Sequence, residues 1–565
     1  MSDFDAVFSV TDLDGSNGFR VDGFNASPGN TVSIGESASS VGDINGDGID
    51  DFIIGSGFAD PNGSGSGLAY VVFGTGSGFD PTIDLASLDG TDGFQIPGQS
   101  NNTYVGRSVS GGGDVNGDGK DDLIVGATRY DAPGGLVDEG SAFVLFGRTD
   151  GFDPVIDLST IGGATGFRLD GEGDGTLGQS VSLVGDINGD GFDDLIVSDT
   201  SLDLGGINGN QGAVYVVFGS AFFADAIRVD SLNGTNGFRL SSDNQRDFVG
   251  DQVSAGDING DGFDDLIVGA EAAGLDGEAY VVFGAASGFT ADINPPDLDG
   301  TNGFRINGEG ISDSFGSVVS TAGDINGDGF DDLIIGDGFA DPFSGADDQG
   351  TAYVIFGQAT GFAPELDVAD LNGMNGFRMT GPFEDGYAGF SVSDAGDING
   401  DGFDDIVIGA YGDSAAVGDD EGAAYVVFGK VDGFDADIDL GALDGTDGFR
   451  LEGANASDFV GSSISSAGDV NGDGFDDLLI GANGLDYGGR AAGGGYVVFG
   501  RAPTEAVTRI GSEADQTIRG GEFNDFLAGR DGDDRLFGDR GRDELRGNDG
   551  DDTLNGNRGN DALFG

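Results

Sequence analysis

Gly256-Asp257-Ile258-Asn259-Gly260-Asp261-Gly262-Phe263-Asp264-Asp265 reads as a loop that gathers hard oxygen ligands, and the chain repeats it seven times. The copies begin their run of oxygens at Asp43, Asp114, Asp186, Asp257, Asp324, Asp397 and Asp469, in steps of 67 to 73 residues. A fixed period of this length means one supersecondary unit used again and again, as in solenoids, propellers and arrays.

Working outward from the loop, each unit has the same order. A V-S-x-A-G run precedes the loop, as at Val253 to Gly256. D-L-I-V-G-A follows, then a variable glycine-rich segment and A-Y-V-V-F-G. The last string ends at Gly74, Gly147, Gly219, Gly284, Gly357, Gly429 and Gly500. An I-D-L stretch leading to L-D-G-T-D-G-F-R-L, as at Ile438 to Leu451, opens the next unit. The apolar runs are short, β-branched or aromatic, and bounded by Gly, Asn and Asp, which is the pattern of strands. No stretch carries a helical period with caps.

Four strands per unit and seven units predict an all-β fold, a seven-bladed β-propeller over residues 1–500. An open β-solenoid is the alternative, though its coils are shorter than this period. The L-I-V-G strand, apolar on both faces, is expected inside, packed between blades. The G-F-R-L strand alternates and carries Arg20, Arg168, Arg239, Arg305, Arg378 and Arg450, with Gln95 departing, so it is expected outermost. The copy near Phe19 has no preceding Y-V-V-F-G of its own; pairing with the strand around Tyr496 would close the ring.

The loop chemistry is specific. Side-chain oxygens fall at positions 1, 3, 5 and 9, Gly at 6 allows a sharp turn, and position 7 can offer a carbonyl. Ca²⁺ takes six to eight such oxygens, with water completing the shell. The candidate ligands are Asp43, Asn45, Asp47 and Asp51; Asp114, Asn116, Asp118 and Asp122; Asp186, Asn188, Asp190 and Asp194; Asp257, Asn259, Asp261 and Asp265. The last three loops add Asp324, Asn326, Asp328 and Asp332; Asp397, Asn399, Asp401 and Asp405; Asp469, Asn471, Asp473 and Asp477. The first half matches an EF-hand loop. Position 12 does not, being Ile or Val throughout, so the loop belongs in a β-hairpin. One copy alone would serve equally as an Asx turn; seven copies argue for metal. Position 8, always Asp, is expected to face away from the ion, with no role beyond added charge.

After Arg501 the period becomes nine. Gly511, Gly520, Gly529, Gly538, Gly547, Gly556 and Gly565 mark it. Leu527, Leu536, Leu545, Leu554 and Leu563 hold the eighth position, and Asp525, Asp534, Asp543, Asp552 and Asp561 the sixth. This is a calcium-binding nonapeptide, expected to form a short parallel β-roll over 511–565 after a linker at 501–510. Leu points inward and Asp holds calcium between turns. The first nonad is degenerate, with Gln516 in the Asp place. A flexible acidic tail is the alternative.

The propeller unit, with its D-x-N-G-D-G-x-D-D loop, D-L-I-V-G-A and Y-V-V-F-G, resembles the FG-GAP repeat of integrin α-subunits. The nonapeptides are similar to RTX (hemolysin-type) repeats. The first resemblance implies calcium hairpins on one face and ligand loops on the other. The second implies export by a type I, non-Sec route and folding outside the cell.

Composition bounds the chemistry. The 565 residues include no Cys, His or Trp, which excludes disulfides, thiolate and imidazole catalysis and Ser-His-Asp triads. The net charge of −78 opposes nucleic acid, whose phosphates would be repelled. No apolar run is long enough for a transmembrane helix, and the start, MSDFDAVFSV, lacks a basic n-region. The resulting expectation is a secreted, monomeric, non-enzymatic adhesion or binding protein. It would carry about one Ca²⁺ per blade and several in the roll. A protein or glycan ligand would sit on the variable loops that hold Arg129, Tyr130, Tyr411, Tyr487 and Arg490. A ligand-free structural matrix protein and a carboxylate-based glycan enzyme are the alternatives. A carboxylate present once and buried in the central channel would favour the enzyme.

Overall fold

The fourth unit shows how this sequence makes a blade. Val253–Gly256 pairs antiparallel with Asp265–Ala270, that strand with Glu278–Val282, and that one with Gly303–Asn307. Every residue of Asp265–Ala270 is buried, as its two apolar faces require. Gly303 has φ of +139°, and a Cβ there would collide with the Val281 carbonyl, so the G-F step admits only glycine.

The protein is described here by a computed structural model. It covers all residues except 1–3, 24–32, 134–137, 174, 204–209, 243, 245, 275, 311–313, 342–347, 360, 415–419, 432, 487–491, 505 and 513. Seven such sheets form a seven-bladed propeller, and among the described residues the only helices are single 3₁₀ turns. The first strands of the blades touch one another in turn around the axis. No helix among the described residues is long and apolar enough to cross a membrane.

One expectation needs correction. The G-F-R-L strand is the fourth of five rather than the outermost. Six of the seven sheets add a short parallel fifth strand drawn from the I-D-L stretch of the following unit, as when Arg305 and Asn307 align with Glu365 and Asp367. Two or three residues carry too little alternation to be read as a strand. In the first blade, where Gln95 replaces Arg, a single bridge from Gln95 to Val155 takes its place.

A phenylalanine triad locks each blade's outer end. Phe304 stacks on Phe362 at 4.2 Å between ring centres, and Phe283 tilts against both at 5.9 Å. Such pairs add about 0.5–1.5 kcal/mol each beyond burial. The sixth blade's triad is Phe428, Phe449 and Phe4, and its fifth strand is Val7–Ser9. The N-terminal segment is therefore stitched to the sixth blade. It then enters the seventh, where Gly18–Asp22 pairs antiparallel with Gly494–Val498 and closes the ring as expected.

Beyond the propeller, alternate nonads build two parallel sheets. Leu527 aligns with Leu545 and Leu563 in one, and Ile518 with Leu536 and Leu554 in the other. Ile518, Leu527, Leu536 and Leu545 form the core between them. The arrangement is that of a β-roll. Its first strand, Thr508–Ile510, lies within the stretch read as linker.

Candidate calcium centres

Each candidate loop is the hairpin between a blade's first and second strands, and its backbone is held by its own carboxylates. In the fourth, Asp257 accepts from the N–H groups of Asp261 at 3.0 Å and Gly262 at 2.8 Å. Asp261 accepts from Phe263 N at 3.2 Å. Asn259 Nδ2 lies 3.0 Å from both oxygens of Asp265. Asp265 is fully buried and accepts from Gly284 N at 2.8 Å, the glycine that ends Y-V-V-F-G. The same link joins Asp51 to Gly74, Asp122 to Gly147, Asp194 to Gly219, Asp332 to Gly357, Asp405 to Gly429 and Asp477 to Gly500. That invariant position 9 is thus anchored at the seam of two strands.

Burial is the main reason these carboxyls titrate high. Asp51, Asp122 and Asp265 are pushed up to about 8 and Asp194 to about 7, while Asp332, Asp405 and Asp477 are driven well above the usual range. The strand-end glycine N–H opposes the shift, and the carboxylates at positions 5 and 1 reinforce it. Positions 1, 3, 5 and 9 are brought together; only the second loop has a cation of its own, Lys120, which pairs with Asp118 at 2.9 Å.

Among the described residues, no three carboxylates close on one point as a finished metal cage. The donor set nonetheless suits a hard dication: all oxygen, clustered, and including a buried position-9 carboxyl with no ion-pair partner of its own among the described residues. For Asn259 to take part, its amide must turn over to present Oδ1, since the nitrogen now faces Asp265.

Position 8 has a definite role that the sequence reading lacked. Asp121 Oδ2 accepts from Asp43 N at 2.7 Å, reaching from one blade's loop to the one before it. Asp193, Asp331, Asp404, Asp476 and Asp50 do the same for Asp114, Asp257, Asp324, Asp397 and Asp469. Asp264 makes the equivalent bond one residue earlier, to Gly185 N at 2.9 Å. A closed ring of seven inter-blade hydrogen bonds results. Residue 7 supports it: Phe330 packs where a side chain on Gly260 would have to sit.

In the roll, the sixth-position carboxylates bridge turns eighteen residues apart. Asp534 Oδ1 accepts from Gln516 N, Asp543 from Asp525 N, Asp552 from Asp534 N and Asp561 from Asp543 N, at 2.9 to 3.2 Å. Asp525 accepts from Val507 N at 2.9 Å. The second oxygens of Asp534, Asp543 and Asp552 are buried with no hydrogen-bond partner. Such oxygens are costly unless a cation meets them, so these residues fit calcium. Burial first, then nearby carboxylates, raise Asp534 to about 6.

The roll docks on the calcium-loop face. The Arg509 guanidinium is buried in the sixth loop, donating to the carbonyls of Gly400 and, at 2.8 Å, Asn399. Gln516 Nε2 donates to Gly402 O at 2.5 Å, and Arg519 lies over Phe475. The degenerate first nonad is thus an adaptor: Gln516, in the place of Asp, reaches the propeller.

On the opposite face, Tyr411 stacks on Tyr387 at 4.9 Å and meets Phe390 at 4.4 Å, while exposed Arg129 lies over Tyr104. Tyr130 instead packs edge-on to Phe143 in the core. Tyr487 and Arg490 lie outside the described residues. Asp394, missed in the sequence, stands on the sixth blade's axis-lining strand where most other blades carry small residues. Burial, then Asp404 and other carboxylates, drive it well above the usual range.

Comparisons with known proteins agree with this geometry. The FG-GAP repeat model matches residues 37–72, 105–145, 177–217, 249–282, 315–355, 390–427 and 460–498. The RTX calcium-binding nonapeptide repeat matches 510–545 and 538–565. Similar curated proteins include integrin alpha-V of Gallus gallus, 29% identical over 252 residues, which are 43% of this chain and 21% of that protein. Integrin alpha pat-2 of Caenorhabditis elegans is 31% identical over 251 residues, 42% of this chain and 18% of that protein. Integrin alpha-IIb of Mus musculus is 30% identical over 179 residues, 31% and 16% of the two chains. The chain thus covers about a fifth or less of the length of these relatives.

Proposed function

We propose that this chain, which carries seven FG-GAP repeats and an RTX calcium-binding array, is a secreted, calcium-stabilised binding or adhesion protein, not an enzyme. One observation carries the reading: seven loops each bury a position-9 aspartate beside further carboxylates, and only the second loop has a cationic side chain of its own, Lys120, which pairs with Asp118 at the surface. Calcium at positions 1, 3, 5 and 9 would supply the missing charge, and by binding only the folded hairpin would stabilise it by mass action. Asp525, Asp534, Asp543, Asp552 and Asp561 would do likewise in the roll. The type I, non-Sec export route belongs to this proposal through the RTX array. So does a monomeric state.

The ligand, a protein or glycan, would meet the face opposite the calcium loops, where Phe339, Tyr387 and Tyr411 cluster. Aromatic residues favour such contacts. Glycan-array and cell-surface binding of the chain in calcium, against Tyr411→Ala, tests this. Saturable binding lost in the variant is expected; no saturable ligand would leave the matrix-protein alternative.

Asp394 favours a second reading. It is a part-buried carboxylate found on one axis-lining strand only, with Asp404 nearby, and carboxylate catalysis on glycans works through a pair of such groups. Hydrolysis of a polysaccharide panel that vanishes in Asp394→Asn would establish it, and no hydrolysis would dismiss it.

A further inference from the structure

We infer that the notch between the sixth blade and the first turns of the roll, lined by Lys430, Arg509 and Arg530, binds an oxyanion such as the carboxylate of an acidic sugar or free sulfate. The notch has a volume of about 290 Å³, room for one sugar ring or one small anion.

Charge is the first argument. The chain holds only 23 Lys and Arg against 101 Asp and Glu. Propeller arginines are typically matched to carboxylates, as Arg20 to Asp22, Arg168 to Asp170 and Arg239 to Glu172. In the notch three cationic side chains line the wall with a single carboxylate, Asp401. Among the described residues neither Lys430 nor Arg530 has an ion-pair partner; the Lys430 ammonium rests over the Phe434 ring at 4.7 Å. Arg509 is fixed in place by its bonds to Asn399 and Gly400. Both of its terminal nitrogens donate to the propeller and the roll, so Arg509 lends fixed positive charge, while the Lys430 ammonium and the exposed Arg530 guanidinium are the donors that can reach a carboxylate or sulfate.

Backbone conformation is the second argument. Arg530 has φ of +89°. It fills the second position of its nonad, where the neighbouring turns carry Gly521, Asp539, Asn548 and Asn557. Glycine, asparagine and aspartate tolerate a left-handed backbone; a long side chain there is strained, and such outliers gather at binding sites. Arg530 and Lys430 line the same notch. Exposed Val431 and Ile510 complete the wall and give the apolar flank that a sugar ring would lie against.

The test is calorimetric titration of the intact chain, in calcium and at fixed ionic strength, with sodium glucuronate, sodium sulfate and glucose. Saturable binding of glucuronate or sulfate is expected, with none of glucose. Arg530→Gly suits the local φ, so its melting temperature should stay level or rise while affinity falls at least tenfold; Lys430→Gln should weaken binding similarly. Tighter glucuronate would identify an acidic sugar as the source, and tighter sulfate an inorganic ion. No saturable anion binding, equal binding of glucose, or full affinity in Arg530→Gly would overturn the inference.

Discussion

Asp50 Oδ2 accepts the backbone N–H of Asp469 at 2.9 Å, joining the first candidate calcium loop to the last across 419 residues of sequence. It is one link in a ring of seven, each made by the position-8 aspartate of one loop with the loop of the neighbouring blade. Together with the Gly18–Asp22 strand, it makes closure a property of the metal-loop face as well as of the outer sheet.

Asp50→Ala should destabilise the propeller by about 1–3 kcal/mol, because a part-buried N–H loses its acceptor. Asp121→Ala should cost a similar amount, since a closed ring has no privileged link. Asp50→Asn keeps an acceptor oxygen and should retain most of the stability. Denaturant unfolding of the three variants checks this.

Asp265→Asn separates the two roles of position 9. In calcium it should lower the melting temperature and reduce bound calcium by one ion. In chelator it should be no less stable than the parent, because the parent must either take up a proton at Asp265 or bury its charge without a cation. Calcium titration with paired thermal melts reads both outcomes.

Acidity should act oppositely on the calcium-free protein and on ordinary carboxylate-paired proteins. Burial raises Asp51, Asp122 and Asp265 to about 8 from an unfolded value of 3.8. The folded state then holds these protons more tightly. Their contribution is full below about 3.8 and lost as pH rises through about 8. In chelator the melting temperature should therefore fall between pH 5 and pH 8.5.

Arg509→Ala should loosen the roll without unfolding the propeller. It would strip the donors from the Asn399 and Gly400 carbonyls and remove a buried guanidinium. Limited proteolysis should then cut between the two parts faster than in the parent, while the calcium-dependent melt of the propeller persists.

Much of this was legible in sequence because repetition amplifies weak local signals. Seven copies of D-x-N-G-D-G marked one repeated hairpin of oxygen donors, and the unpaired Phe19 strand foretold closure. The fifth strand was not legible, since its two or three residues have no periodicity to read. Nor was the part of Phe4: a lone phenylalanine near the N terminus shows its purpose only when Phe428 and Phe449 lie beside it. The task of position 8 was signalled by its invariance, yet its partner is a backbone N–H in another blade, which carries no sequence mark. Gln516 looked like decay of the nonapeptide, and only its bond to Gly402 explains it. Arg530 broke the glycine position without notice, because the broken rule concerns φ.

The most direct test of the account is a circular-dichroism melt of the intact chain in excess calcium and in excess chelator. The account predicts a β-type spectrum and a large rise in melting temperature with calcium. An identical melt in both would contradict it, leaving the seven aspartate loops as turns held by their own hydrogen bonds.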